Sequence, residues 1–77
     1  MNTNRIKDLR FEQAWTQKYI SEKLGINRRT YSGYENGNRT IPPEILVKLA
    51  GIYHVSVDYL LGVTDERRPY KKSYITE

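Results

Sequence analysis

The chain contains no cysteine and only one histidine, His54. That excludes thiol nucleophiles, cysteine-ligated zinc, iron–sulfur clusters and any disulfide framework, so no cofactor and no metal are expected. Small secreted domains usually lean on disulfides, and the opening Met1-Asn2-Thr3-Asn4 lacks the apolar core of a signal peptide, which together favour the cytoplasm. Long hydrophobic runs are missing as well. The mean hydropathy is −0.76, and nothing approaches the roughly 20 apolar residues that span a bilayer, so no membrane role is expected. The 77 residues leave room for one small domain. A chain this short buries only about 60% of the surface it exposes when unfolded, which disfavours a large enclosed active site. No nucleophile with its base, metal cluster or phosphate loop is present, and the sequence does not read as an enzyme.

What is present is basic charge, unevenly spread. Thirteen Lys and Arg face nine Asp and Glu, for a net +4 and a pI near 9.5, which points to a polyanionic partner. Residues 27–40 hold Arg28, Arg29 and Arg39 against Glu35 alone, whereas residues 41–64 hold Lys48 against Glu44 and Asp58 among many apolar side chains. The two halves are therefore expected to do different work.

Apolar residues recur with a period near 3.6 and nowhere alternate, which predicts helices throughout. A first helix starts from a Thr3 or Asn4 cap and runs to about Ala14, with Ile6, Leu9, Arg10 and Gln13 on one face and Phe11 pointing away. Thr16 caps a second helix that shows Ile20 and Leu24 on one side and ends at Gly25. Asn27 caps a third almost at once, with Ile26 placed to staple onto Tyr31, and Gly37 ends it near Asn36. Pro42 and Pro43 are tolerated in the first turn of a fourth helix, where Glu44 suits the positive end of the dipole and Leu46, Leu49, Ala50 and Tyr53 form the expected buried stripe. Ser56 caps a short fifth helix, Val57 to Leu61, closed by Gly62. The expectation is an all-α domain over residues 1–64 followed by a polar, flexible tail over 65–77.

Two short helices joined by a few residues including Gly form a helix-turn-helix, whose second helix enters a major groove about 12 Å wide. Residues 17–36 fit that outline. At roughly 100° per residue, Arg28, Arg29, Ser32, Gly33 and Asn36 share one arc of the third helix, with Tyr31 and Tyr34 opposite. One face is small, polar and cationic while the other is aromatic, as suits a helix pressed between its own core and DNA. Arg donates two hydrogen bonds to guanine O6 and N7, and Gln17, beside the free N–H groups that open the second helix, can hold a phosphate.

The run Thr16-Gln17-Lys18-Tyr19-Ile20-Ser21-Glu22-Lys23-Leu24-Gly25-Ile26-Asn27-Arg28-Arg29-Thr30-Tyr31-Ser32-Gly33-Tyr34-Glu35-Asn36-Gly37 closely resembles the DNA-binding core of the Cro and phage-repressor type helix-turn-helix family, also called the xenobiotic-response-element family. The similarity extends in order and spacing from about Asn4 to Gly62. It implies a five-helix, lambda-repressor-like domain that binds operator DNA, commonly as a homodimer, and regulates transcription, by default as a repressor. Carried over by position, it implies that Arg28, Arg29, Ser32 and Gly33 face bases and that Gln17, Asn27, Asn36, Arg39 and Thr40 hold the phosphate backbone. Arg10 and Glu35 match a structural pair that bridges the first and third helices. The chain departs from the family at Ser21, where Ala is usual, at Tyr31 and Trp15, which are larger than usual, and at Gly33, which leaves one base-facing position blank.

His54 has no partner His, Cys or acidic cluster and is assigned no function. Tyr31, Tyr34, Tyr53 and Tyr59 fall on helical core faces rather than forming a stacking platform for single strands. Ile52, Val55, Val57, Leu60 and Leu61 exceed what one small core needs, which supports the homodimer. Two further readings stay open. One is an antitoxin or controller that also binds a protein through the tail or Phe11, and the other is a protein-interaction module with no DNA role.

Overall fold

A computed structural model describes residues 4–69 of the chain. Its element order is α1 (Asn4–Glu12), α2 (Gln17–Leu24), α3 (Arg28–Asn36), α4 (Pro43–Tyr53) and α5 (Val57–Leu61), with no strand among the described residues. No helix among them is long and apolar enough to cross a membrane. The expected cap at Thr3 and the tail beyond Pro69 lie outside the described residues.

Capping chemistry sets most of the boundaries. Thr16, Asn27 and Ser56 sit in extended conformation ahead of α2, α3 and α5, and their side-chain oxygens accept from backbone N–H groups that the helix leaves unpaired. Gly25, Gly37 and Gly62 close the same three helices at φ of 73°, 80° and 79°, the left-handed region that costs glycine least. The other two helices end on non-glycine residues in that region. Ala14, at φ 58°, turns the chain after Glu12, so α1 stops short of the expected end and Gln13 is exposed. His54, at φ 56°, terminates α4 and sends its N–H to the Ala50 carbonyl.

The core is formed by Ile6 and Leu9 of α1, Ile20 and Leu24 of α2, Tyr31 and Tyr34 of α3, Ile45, Leu49 and Tyr53 of α4, Leu60 of α5, and Ile41 and Val55 from the connections. Each such side chain contributes about 1.5–3 kcal/mol when fully removed from water. The stripe of α4 differs from the expected one: Ile45 is buried, while Leu46 and Ala50 are only half-buried. The reason lies ahead of the helix. Ile41 is already buried before Pro42, and Ile45, Leu49 and Tyr53 continue its row at intervals of four. Tyr59 packs against the core without entering it.

α2 packs on α3, α1 on α3 and α5, and α4 on α2 and α5. Ser21 is 2% exposed, and its hydroxyl donates to the Lys18 carbonyl at 2.9 Å, so the buried polar atom is not orphaned. The packed unit continues past Thr64. Arg5 donates to the carbonyls of Tyr59 and Thr64 and to Asp65, Ser56 donates through its backbone to Arg67 and through its hydroxyl to Glu66, and Arg67 reaches Glu12 at 2.9 Å. Composition alone showed no apolar period there because the attachment is made by hydrogen bonds.

Candidate nucleic-acid interface

The fold delivers α3 with its two faces separated. Tyr31 and Tyr34 are 0% and 4% exposed and meet edge to face at 6.3 Å, whereas Arg28, Arg29 and Asn36 are exposed. On the exposed side an open cleft of about 370 Å³ is lined by Gln17, Arg28, Arg29, Ser32, Gly33, Asn36, Asn38 and Arg39. It therefore gathers Gln17 from α2, all five residues of the cationic arc and two from the loop after Gly37. Asn27 and Thr40 do not line it. Asn27 is committed to the cap of α3, where its Oδ1 accepts from the Arg29 and Thr30 N–H groups at 2.7 and 3.3 Å. Thr40 is exposed.

Charge pairing sorts the seven arginines into two sets. Arg5, Arg10, Arg67 and Arg68 each form an ion pair, with Asp65, Glu35, Glu12 and Glu66 respectively. Arg28, Arg29 and Arg39 form no ion pair among the described residues, and all three line the cleft. Neither α2 nor α3 has an acid in its first turn, so the positive ends of both dipoles add to the same field. The cleft is cationic, open, and lined by three arginines that form no ion pair among the described residues.

Beneath it lies a buried polar network. Arg10 donates through Nε to Glu35 Oε2 at 2.7 Å and through Nη2 to Oε1 at 3.0 Å, a two-pronged pair with both side chains nearly closed off from water. Tyr31 Oη donates to Glu35 Oε2 at 2.6 Å and Gln17 Nε2 to Oε1 at 3.0 Å. Burial by itself pushes the Glu35 carboxyl up, but hydrogen bonds from Arg10, Tyr31 and Gln17, with the Arg10 charge, outweigh it and hold the group below its ordinary range. The same burial, reinforced by the carboxylate, drives the Tyr31 phenol far up. Tyr53 is likewise raised, to about 12, by burial. Gln17 thus comes to the cleft already oriented: one amide hydrogen is held by Glu35 and the second remains available.

Arg10 also donates through Nη1 to the Trp15 carbonyl at 2.9 Å, while the Trp15 N–H returns to the Arg10 carbonyl at 3.1 Å. This clasp sets the turn that starts α2. Phe11 is 57% exposed, and the Arg10 guanidinium stands 4.8 Å from its ring centre. Gly33 departs most from its expected setting: it is buried, with the Arg39 side chain lying across it. Two contributions escaped the sequence reading. The Tyr31 hydroxyl was signalled by its spacing of four from Glu35 on one helix, whereas Asn38 lies in a loop where no periodicity applies.

Comparison with known proteins follows the same lines. A protein-family model described as helix-turn-helix matches residues 6–60. The uncharacterized helix-turn-helix type transcriptional regulator YobD of Bacillus subtilis is 42% identical over 69 residues, covering 90% of this chain and 62% of YobD. The transcriptional repressor RstR of a cryptic CTXphi phage in Vibrio cholerae is 33% identical over 62 residues, covering 80% of this chain and 56% of RstR. The chain thus spans less than two thirds of either relative. Among solved structures, the biofilm regulator SinR in complex with DNA superimposes with a TM-score of 0.70 at 32% identity, covering 79% of this chain and 98% of that one.

Proposed function

The chain belongs to the helix-turn-helix family, and from that premise we propose that it binds double-stranded operator DNA in the cytoplasm and regulates transcription as a repressor, by occluding a promoter. The observation that carries the reading is the cleft: the three arginines without an ion-pair partner among the described residues converge on one face of α3 beside Gln17, Ser32 and Asn36. The named relatives support it, since RstR is a repressor and SinR is solved on DNA. α3 enters the major groove with Arg28, Arg29 and Ser32 toward base edges, Arg being suited to guanine O6 and N7. Gln17, Asn36, Arg39, Thr40 and the free amide of Asn27 hold phosphates on either side.

The reading rests on binding chemistry, since the side chains gathered in the cleft are hydrogen-bond donors and cations suited to a polyanion. Binding as a homodimer is supported by Ile52, Val57 and Leu61, which stay half-buried in the single chain, although Val55 and Leu60 are taken up by its own core. A protein partner has weaker support, because the Phe11 ring is already used by Arg10.

The test is selection of bound duplexes from a random pool at physiological salt, followed by sequencing. Enrichment of a defined motif is the expected outcome. A correctly folded protein that retains random duplexes no better than none overturns the reading.

A further inference from the structure

Gly33 lies on the arc of α3 that carries Arg28, Arg29, Ser32 and Asn36 and lines the same cleft, yet it alone of the five is buried. What covers it is Arg39. A Cβ on residue 33 would stand 2.8 Å from Arg39 Cδ, 2.9 Å from Cγ and 3.3 Å from Nε. Those are mid-stem atoms rather than a free end, because the Arg39 main chain is fastened at the same place: its N–H donates to the Gly33 carbonyl at 3.1 Å, next to that of Asn38 at 2.9 Å. Any side chain at position 33 must therefore push the Arg39 stem aside, and the guanidinium with it. Glycine is a poor helix former in an exposed arc, so α3 bears a local cost that the seat explains.

We infer that Gly33 is a positioning residue: it faces no base, but seats Arg39 across α3 so that the guanidinium meets a phosphate oxygen of DNA beside the recognition helix. This rests on the DNA-binding reading above. Arg39 makes no ion pair among the described residues, so its donors remain for the phosphate, which a planar guanidinium grips with two parallel hydrogen bonds. Position 33 is thereby removed from base recognition, and the backbone gains a contact pinned to the helix that reads the sequence.

The experiment uses the full chain as wild type, Gly33→Ala, Arg39→Ala and the double variant, titrated across salt concentrations against a duplex recovered from the random pool, with circular dichroism to follow folding. Gly33→Ala and Arg39→Ala are each expected to weaken binding on the order of tenfold and to flatten the slope of log affinity against log salt by about one. The double variant is expected to bind no worse than Arg39→Ala, and base preferences are expected to stay unchanged. The inference is overturned if Gly33→Ala binds like wild type, if Arg39→Ala does, or if the two losses multiply in the double variant. It is equally overturned if Gly33→Ala changes the preferred base at one position while keeping its salt slope. Should Gly33→Ala fail to fold, folding of the double variant supports the seat and failure of both overturns it. Wild type that binds no duplex instead overturns the DNA-binding reading itself, so the two failures are told apart by the unmodified protein.

Discussion

At the scale of single residues, Glu35 concentrates the most physics. Its two carboxylate oxygens receive Arg10, Tyr31 and Gln17, so one buried charge joins α1, the start of α2 and α3. Its carboxyl is held below the unfolded value of about 4.3, and the stability it contributes is therefore fully present above that pH and disappears as the pH falls through the lower folded value. Glu35→Gln is expected to cost about 3–5 kcal/mol near pH 7, because it leaves the buried Arg10 without a counter-charge. Below pH 4 the gap between variant and wild type should narrow, since a protonated Glu35 is nearly isosteric with Gln. Urea unfolding of both proteins at pH 7 and pH 3 measures this, and a gap independent of pH would refute it. The pairing of Arg10 with Glu35 was legible from family resemblance. The hydroxyl of Tyr31 was signalled only by its spacing of four from Glu35, and that signal is easily passed over because an aromatic residue on an apolar face reads as core and its one polar atom adds nothing to the periodicity.

At the scale of elements, polar caps and glycines were legible because each satisfies a stated need of the backbone, whereas α1 and α4 end on Ala14 and His54 in left-handed conformations that neither residue type announces. The burial of Gly33 was illegible for a related reason: helical periodicity places a residue on a face but does not reveal what a later loop lays over that face. The α3 terminus carries a second lesson. Arg28 and Arg29 open the helix at its positive end, an arrangement that costs about 0.3–1 kcal/mol each where they are exposed. Arg28→Ala should therefore leave the fold as stable or raise its stability by up to that amount, while weakening binding to the selected duplex by about 1–3 kcal/mol and relaxing preference at one base pair. Thermal melting and affinity measured on the same variant check both halves. A variant that loses stability and affinity together would mean that Arg28 serves the fold instead.

At the scale of the whole molecule, the distribution of apolar side chains separates what one chain needs from what two would share. Val55 and Leu60 are 3% and 2% exposed and belong to the internal core, but Ile52, Val57 and Leu61 stay half-buried and Val63 is 71% exposed. The half-buried and exposed ones run from the end of α4 through α5 to Val63 just past it, while the cationic cleft is built from α2, α3 and the loop after Gly37. A pair of chains joined through the apolar part around a two-fold axis would leave both copies of α3 free. Two such recognition helices reach successive major grooves when they are one helical turn, about 34 Å, apart. Duplexes carrying two copies of the selected half-site at graded separations should accordingly show tightest binding at one turn and markedly weaker binding when half a turn is added, because the second site then faces the opposite side of the DNA. Sedimentation on the best duplex should give two chains per duplex. Affinity independent of spacing, with one chain per half-site, would show instead that each chain reads DNA alone and that the apolar end of α4 and α5 has no part in placing it.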